Sequence, residues 1–231
     1  MNYKIFPISE NAVTIDFGNQ ISVELNEKVI QLADFIEENK FLGFIETVPA
    51  YSSLTIFFEL ITVKKNFTNF STAFFFVKSF IEKAITELND FSPIEPRLIK
   101  IPVDYSAEFA LDLDVVAQNA NLTKEEVIKI HTSQIYRVFM IGFLPAFAYM
   151  GEVDERIATP RKQTPRTKIE KGSVGIAGKQ TGIYPLESPG GWQIIGKTDL
   201  ELFQPNNENI SLLKNGDLVQ FYDINSNPNE H

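Results

Sequence analysis

GSVGIAGKQTGIYPLESPGGWQIIGKT, residues 172–198, is the stretch on which the reading of this chain turns. It holds seven of the twelve glycines and the only tryptophan. Its last eight residues, GWQIIGKT, match the phosphate-loop pattern G-x-x-x-x-G-K-[ST] letter for letter. A phosphate loop works only between a buried strand and the start of a helix, where free backbone N–H groups converge on phosphate oxygens. Here Trp192, Gln193, Ile194 and Ile195 favour an extended backbone, and the DLELF that follows alternates like a strand. The stretch therefore reads as short strands joined by glycine-shaped turns. Gly182, Gly190 and Gly191 suit tight turns or close backbone approach, and Pro185 and Pro189 stiffen the loop. Gln180, Tyr184, Glu187, Ser188 and Trp192 share this stiff segment and are candidates to line a groove. Tyr184 and Trp192 would serve equally well as barrel core.

Working outward, SVGIA, GIYPLE, WQIIG, DLELF and DLVQFYDI form a run of short strands with turn signals between them, the pattern of a β-barrel or sandwich. IYRVFMIGF (135–143) precedes them as another strand. Two short helices come before that. One covers about 111–120; the other starts at Thr123, where T-x-x-E with Glu126 forms a capping box, and ends near His131. Residues 1–100 contain only two glycines. NAVTIDF alternates, ELNEKVIQLADFIEENK and STAFFFVKSFIEKAITELND carry helical stripes, and FLGFIETVPAYSSLTIFFEL gives two strands around a turn at 49–53. With RLIKIPV the order is β-α-β-β-α-β, a small ferredoxin-like α+β unit. The two prolines of DFSPIEP (90–96) mark a linker. RLIKIPV can close the first half or open the second. The expected organisation is a small α+β domain over 1–95 and a β-barrel domain over 96–231, with NSNPNEH as a frayed tail.

The 231 residues, 44% apolar and 22% charged, suffice for a core without a staple. The absence of cysteine removes disulfides, thiolate metal sites and cysteine nucleophiles. With two histidines, one of them the last residue, no metal site is expected. The N-terminus has no signal-peptide pattern, and the apolar run 54–63 is too short to span a bilayer and contains Glu59. The chain is expected to be cytoplasmic and away from membranes. A net charge of −9 argues against nucleic acid. Residues 156–179 are an exception: Arg156, Arg161, Lys162, Arg166, Lys168, Lys171 and Lys179 face a single acid, Glu170. Such a patch attracts a carboxylate, a phosphate or an acidic partner, or else is a solvated loop.

Residues 142–203 resemble the KipI family, also described as subunit 1 of allophanate hydrolase and as the B subunit of bacterial 5-oxoprolinase. The resemblance rests on GF-x-P-x-F (142–147), ATPR (158–161), PR (165–166), GSVGIAG (172–178), QTGIYP (180–185) and SPGGWQ-x-IG-x-T (188–198), with EEVIKIHTS (125–133) upstream. Two positions depart from the family pattern. Ala146 stands where a glycine is usual, and Gly151-Glu152 where two glycines are. If the usual glycine needs positive φ, Ala146 strains the turn; if it admits a ligand, Ala146 narrows the site.

The resemblance implies a cyclophilin-like barrel behind a smaller α/β domain. It also implies work with partners, a second subunit of the C type (the allophanate hydrolase subunit 2 type) and an ATP-using subunit, which together open the lactam of 5-oxoproline to glutamate. ATP is then used by the complex and need not be bound by this chain. Opening a stable amide needs cations at the developing charge and a base for water. Arg161 and Arg166 are the expected cations, and Glu187 and His131 the expected acid–base groups; a helix-end histidine held by backbone is the competing reading of His131. Gln180, Tyr184 and Ser188 are expected to orient a small substrate, with Phe143, Pro145, Phe147, Gly190 and Trp192 forming its wall. The alternative is a KipI-like inhibitor, whose groove binds a sensor histidine kinase and performs no chemistry.

Overall fold

A computed structural model describes residues 2–88, 95–207 and 209–226. The chain divides into two compact units, Met1–Glu95 and Pro96–His231. Most of the expected linker at 90–96, and the last five residues of the expected tail, lie outside the described residues.

In the first unit the elements run β1 (Lys4–Ser9), β2 (Ala12–Asp16), α1 (Val23–Glu38), β3 (Phe44–Pro49), β4 (Ser53–Phe58), α2 (Leu60–Asn66) and α3 (Ala73–Glu87). The four strands form one antiparallel sheet in the order β1-β2-β4-β3. Ser22 and Thr72 start α1 and α3, each accepting the N–H three residues on. The apolar stripes of both helices, including Val29, Leu32, Ile36, Val77 and Ile81, pack on Val13, Ile15, Leu54 and Ile56. This is the expected ferredoxin-like arrangement with one change of strand. The edge beside β2 belongs to the N-terminal strand β1, and RLIKIPV pairs elsewhere.

The second unit continues with β5 (Leu98–Val103), α4 (Leu113–Ala120), α5 (Lys124–Ser133), β6 (Ile135–Ile141), β7 (Ala148–Gly151), β8 (Arg166–Ile169), β9 (Ser173–Ala177), β10 (Gln180–Ile183), β11 (Ser188–Gly190), β12 (Gln193–Lys197) and β13 (Leu218–Asp223). At α5 the capping box is complete, with Thr123 Oγ1 accepting from Glu126 N–H at 3.2 Å and Glu126 Oε2 accepting from Thr123 N–H at 2.8 Å. Seven strands form a sheet in the order β12-β9-β10-β7-β6-β13-β5, and β8 and β11 pair as a separate ribbon. β5 lies parallel to β13, so it opens this unit. The two ends of the sheet meet through an antiparallel bridge between Asp104 and Lys197. A glycine is required at this seam, because a Cβ on Gly196 would stand 2.7 Å from Val103 Cγ1 and 2.9 Å from the Asp104 carbonyl. DLELF, expected as a strand, contributes only an isolated bridge at Phe203.

Alternation sorts the barrel residues onto two faces. The inner face collects Ile101, Val138, Met150, Val174, Ile176, Ile183, Ile195 and Val219, with α4 and α5 contributing Val116 and Val127. The outer face of the β7, β10, β9 and β12 strands carries a second, smaller cluster: Phe147, Ile169, Ala177, Tyr184, Trp192 and Ile194.

Candidate functional site

The outer cluster is built around Phe147. Its ring meets Phe143, Tyr149, Tyr184 and Trp192 edge-on at centroid distances of 5.6, 4.8, 5.3 and 5.4 Å. Phe147, Tyr184 and Trp192 are buried, whereas Phe143 is 63% exposed. The Tyr184 hydroxyl bonds to the Trp192 backbone, and burial raises its pKa to about 12, so it stays neutral. A Cβ on Gly190 would lie 2.4 Å from that hydroxyl, so only glycine fits there. The turn carrying Phe143 is itself unusual. Phe143 and Ala146 have φ of 69° and 63°, in the left-handed region. Ala146 therefore occupies a position of the kind that favours glycine, at a cost of roughly 1–2 kcal/mol.

The basic segment 156–179 resolves into pairs. Arg156 bonds to Asp154 at 2.8 Å, Lys168 to Glu187 at 2.8 Å, Lys171 to Glu201 at 2.5 Å and Lys179 to Glu155 at 2.5 Å. Lys162 and Arg166 converge on Asp112 at 2.8 and 2.7 Å. Among the described residues, Arg161 is the one cation of the segment without a carboxylate partner. It is exposed, and its guanidinium carbon lies 5.8 Å from the centroid of the Trp192 ring, within cation–π range. Its backbone is held on both sides: Gln193 Nε2 donates to the Pro160 carbonyl at 2.9 Å, and Lys162 N–H donates to the Gly191 carbonyl at 2.7 Å.

Asp112 is the hub of this corner and is 2% exposed. One oxygen accepts from Lys162 Nζ and one Arg166 nitrogen, both at 2.8 Å. The other accepts from the second Arg166 nitrogen at 2.7 Å and from Ile194 N–H at 2.8 Å. Burial works to raise its pKa, but the bonds from Arg166, Lys162 and Ile194 outweigh it and hold the carboxyl below its ordinary value. Nothing in the sequence singles out Asp112, since its partners lie 50 to 82 residues away. Tyr149, 5.9 Å from Trp192 between ring centroids, is likewise a member that the motifs did not show.

The remaining expected site residues are dispersed. His131 is fully buried in the inner core and stacks on Phe221 at 4.7 Å. Thr181 Oγ1 donates to the Gly175 carbonyl at 3.1 Å. It therefore accepts from His131 Nε2 at 3.1 Å, and His131 Nδ1 accepts from the Tyr105 hydroxyl at 2.8 Å. Burial drives the His131 pKa down to about 3. Without contact with solvent or the outer cluster, this imidazole has the surroundings of a core histidine and not of an acid–base group. Glu187 is exposed and tied to Lys168. Ser188 is buried, its hydroxyl on the Pro189 carbonyl at 3.2 Å. Gln180 sits at the start of β10, and Pro145 is exposed in the turn beside Phe143. Arg166 is a strut bound to Asp112.

GWQIIGKT is a poor fit for a nucleotide. It forms β12 and no helix follows. The amides that would cradle phosphate are already used: Ile194 N–H on Asp112, Lys197 N–H on the Asp104 carbonyl at 3.0 Å, and Thr198 N–H on the Gly172 carbonyl at 2.9 Å. Lys197 Nζ bonds to Glu170 at 2.8 Å. Among the described residues no group of three or more acidic or histidine side chains could hold a metal ion, and no helix is long and apolar enough to cross a membrane.

Fold and site together define a cyclophilin-like barrel with an aromatic and arginine surface site, preceded by a small ferredoxin-like unit. The family described as carboxyltransferase domain, subdomain C and D, matches residues 3–213. The 5-oxoprolinase B subunit of Bacillus subtilis is 44% identical over 225 residues, covering 97% of this chain and 94% of that protein. Its counterpart from Haemophilus influenzae, also a 5-oxoprolinase B subunit, is 39% identical over 217 residues, covering 94% and 96%. The crystal structure of TTHA0988 superposes with a TM-score of 0.78 at 30% identity, over 94% of this chain and 40% of that one. The chain belongs to the carboxyltransferase subdomain C and D family, in the group of the 5-oxoprolinase B subunits and KipI.

Proposed function

We propose that this chain is the B-type subunit of an ATP-dependent 5-oxoprolinase, that it acts with a C-type subunit and an ATP-using subunit, and that it is inactive alone. Its identity to two 5-oxoprolinase B subunits over nearly their whole lengths supports the assignment. The site observation that carries it is Arg161, the uncommitted cation over Trp192. 5-Oxoproline is a small ring with one carboxylate. A guanidinium takes a carboxylate in a two-pronged grip, and the exposed Phe143 and partly exposed Tyr149 of the same cluster offer aromatic contact to a ring.

In this reading the chain binds and orients, and a partner completes the chemistry. Arg161 holds the carboxylate. Phe143 and Tyr149 flank the site, with the buried rings of Phe147, Tyr184 and Trp192 packed beneath them. Hydrolysis adds water across the ring amide, breaking the C–N bond to give glutamate. ATP is assigned to another subunit, since the phosphate-loop sequence here is strand with no helix after it, and its Ile194, Lys197 and Thr198 amides are already bonded.

The test is ATP-dependent glutamate release from 5-oxoproline by the purified subunits, with and without this chain. Activity with all subunits that vanishes when this chain is left out supports the proposal. Equal activity without it, or none in the full mixture, rejects it and directs attention to a histidine kinase as partner.

A further inference from the structure

We infer that Asp112 is a positioning residue for ligand binding, acting through Arg161; this rests on the reading of Arg161 as the carboxylate grip. Asp112 is joined to β12 in both directions, its N–H donating to the Ile194 carbonyl at 2.7 Å and its carboxylate accepting the Ile194 N–H at 2.8 Å. It is therefore fixed to the strand that follows Trp192. Its two oxygens take Lys162, adjacent to Arg161, and both terminal nitrogens of Arg166. The loop carrying Arg161 is thus fastened to the strand that directly follows Trp192, the ring on which Arg161 rests.

A second feature sets Asp112 apart. It is the N-cap residue of α4, the position where aspartate ordinarily bonds an amide of the first helical turn, yet it makes no such bond. The carboxylate is turned away from its own helix toward the loop. Gln193 and Gly191 hold the other flank through Pro160 and Lys162. Arg161 is left with a fixed backbone and a free side chain, the arrangement that lowers the ordering cost of binding.

The experiment measures steady-state 5-oxoproline kinetics of the assembled enzyme with Asp112→Asn, Arg161→Ala and the double variant. Misplacing Arg161 should raise KM by about tenfold in Asp112→Asn, with kcat less affected. The double variant should have a KM no higher than Arg161→Ala alone, because Asp112 acts through a side chain already removed. A purely structural Asp112 would give additive losses, or a lower melting temperature with unchanged KM, and either overturns the inference. If Arg161→Ala itself leaves KM unchanged, the underlying reading fails and takes this inference with it. Should Asp112→Asn not fold, Lys162→Met keeps the Arg166–Asp112 pair and should give a smaller KM increase, of roughly threefold, that disappears in the Arg161→Ala background; an increase that persists there contradicts the inference.

Discussion

Asp104 and Lys197 exchange both backbone hydrogen bonds, Asp104 N–H to the Lys197 carbonyl at 2.8 Å and the reverse at 3.0 Å. Through this pair the end of β5 meets the edge of β12 and the barrel closes, which leaves neither of these strands as an open edge at that point. The GKT of the apparent phosphate loop is the seam of the sheet. Gly196→Ala would press a methyl group against Val103 and a backbone carbonyl, and should cost about 1–3 kcal/mol in urea unfolding. Gly142→Ala, whose Cβ would meet only Met140 Cε at 3.7 Å, should change stability by no more than about 1 kcal/mol and in the stabilising direction. Equal losses in the two variants would contradict the steric account of the seam.

Ala146 carries the left-handed strain that the family's glycine would relieve. Ala146→Gly removes roughly 1–2 kcal/mol of strain but returns about 0.5–1 kcal/mol as freedom of the unfolded chain. Its stability should rise by no more than about 1.5 kcal/mol. Ala146→Val, β-branched at φ 63°, should lose more than 1 kcal/mol, on the order of the 1–3 kcal/mol of a strained backbone. Phe143→Asn separates stability from binding. Asparagine tolerates the left-handed region better and little buried area is lost, so thermal stability should hold while KM for 5-oxoproline rises. Thermal unfolding of the three variants beside the kinetics of Phe143→Asn checks each direction.

His131 makes the protein acid-sensitive in a defined window. Its pKa is about 3 when folded and about 6.5 in the unfolded chain, so it is neutral in both states above that upper value and contributes no pH dependence there. Between the two values the unfolded state binds a proton that the folded state refuses. Stability falls as pH drops, by up to about 1.4 kcal/mol per pH unit, and levels off below about 3. Urea unfolding from pH 7 to 4.5 should show wild type and His131→Asn converging as the pH falls. The imidazole NMR signals lost in His131→Asn should not shift over that range. Parallel stability profiles, or an imidazole titrating near 6.5, would contradict the buried neutral histidine.

Much of the fold was legible in the sequence because the signals were local. Helical stripes and the T-x-x-E box placed α1, α3 and α5, and glycine spacing separated β9, β10 and β12. The phosphate-loop motif was set aside because its context read as strand. What stayed hidden was long-range. β1 is mostly exposed and β7, β8 and β11 are short, so their pairing partners, not their own pattern, make them strands. RLIKIPV fits either unit until β13 is seen beside it. The basic segment counted as a patch along the chain, yet Asp112, Glu155 and Glu201 neutralise it from a distance. Only that pairing distinguishes Arg161 from Arg166. His131 fits either an acid–base group or a helix-end histidine in the sequence, because Tyr105 and Thr181, which satisfy both its nitrogens, are 26 and 50 residues away.

Among the described residues, Arg161 is the one cation of its segment with no carboxylate partner, and the proposed function makes it the group that holds the substrate carboxylate beside Trp192. The measurement that tests it most directly is the KM for 5-oxoproline of the assembled enzyme carrying Arg161→Ala or Arg161→Lys. Loss of a charge-assisted pair worth about 1.5–3 kcal/mol predicts a KM increase of roughly ten- to a hundredfold in Arg161→Ala, with partial recovery in Arg161→Lys. An unchanged KM in Arg161→Ala, in an enzyme of normal melting temperature, would contradict the account.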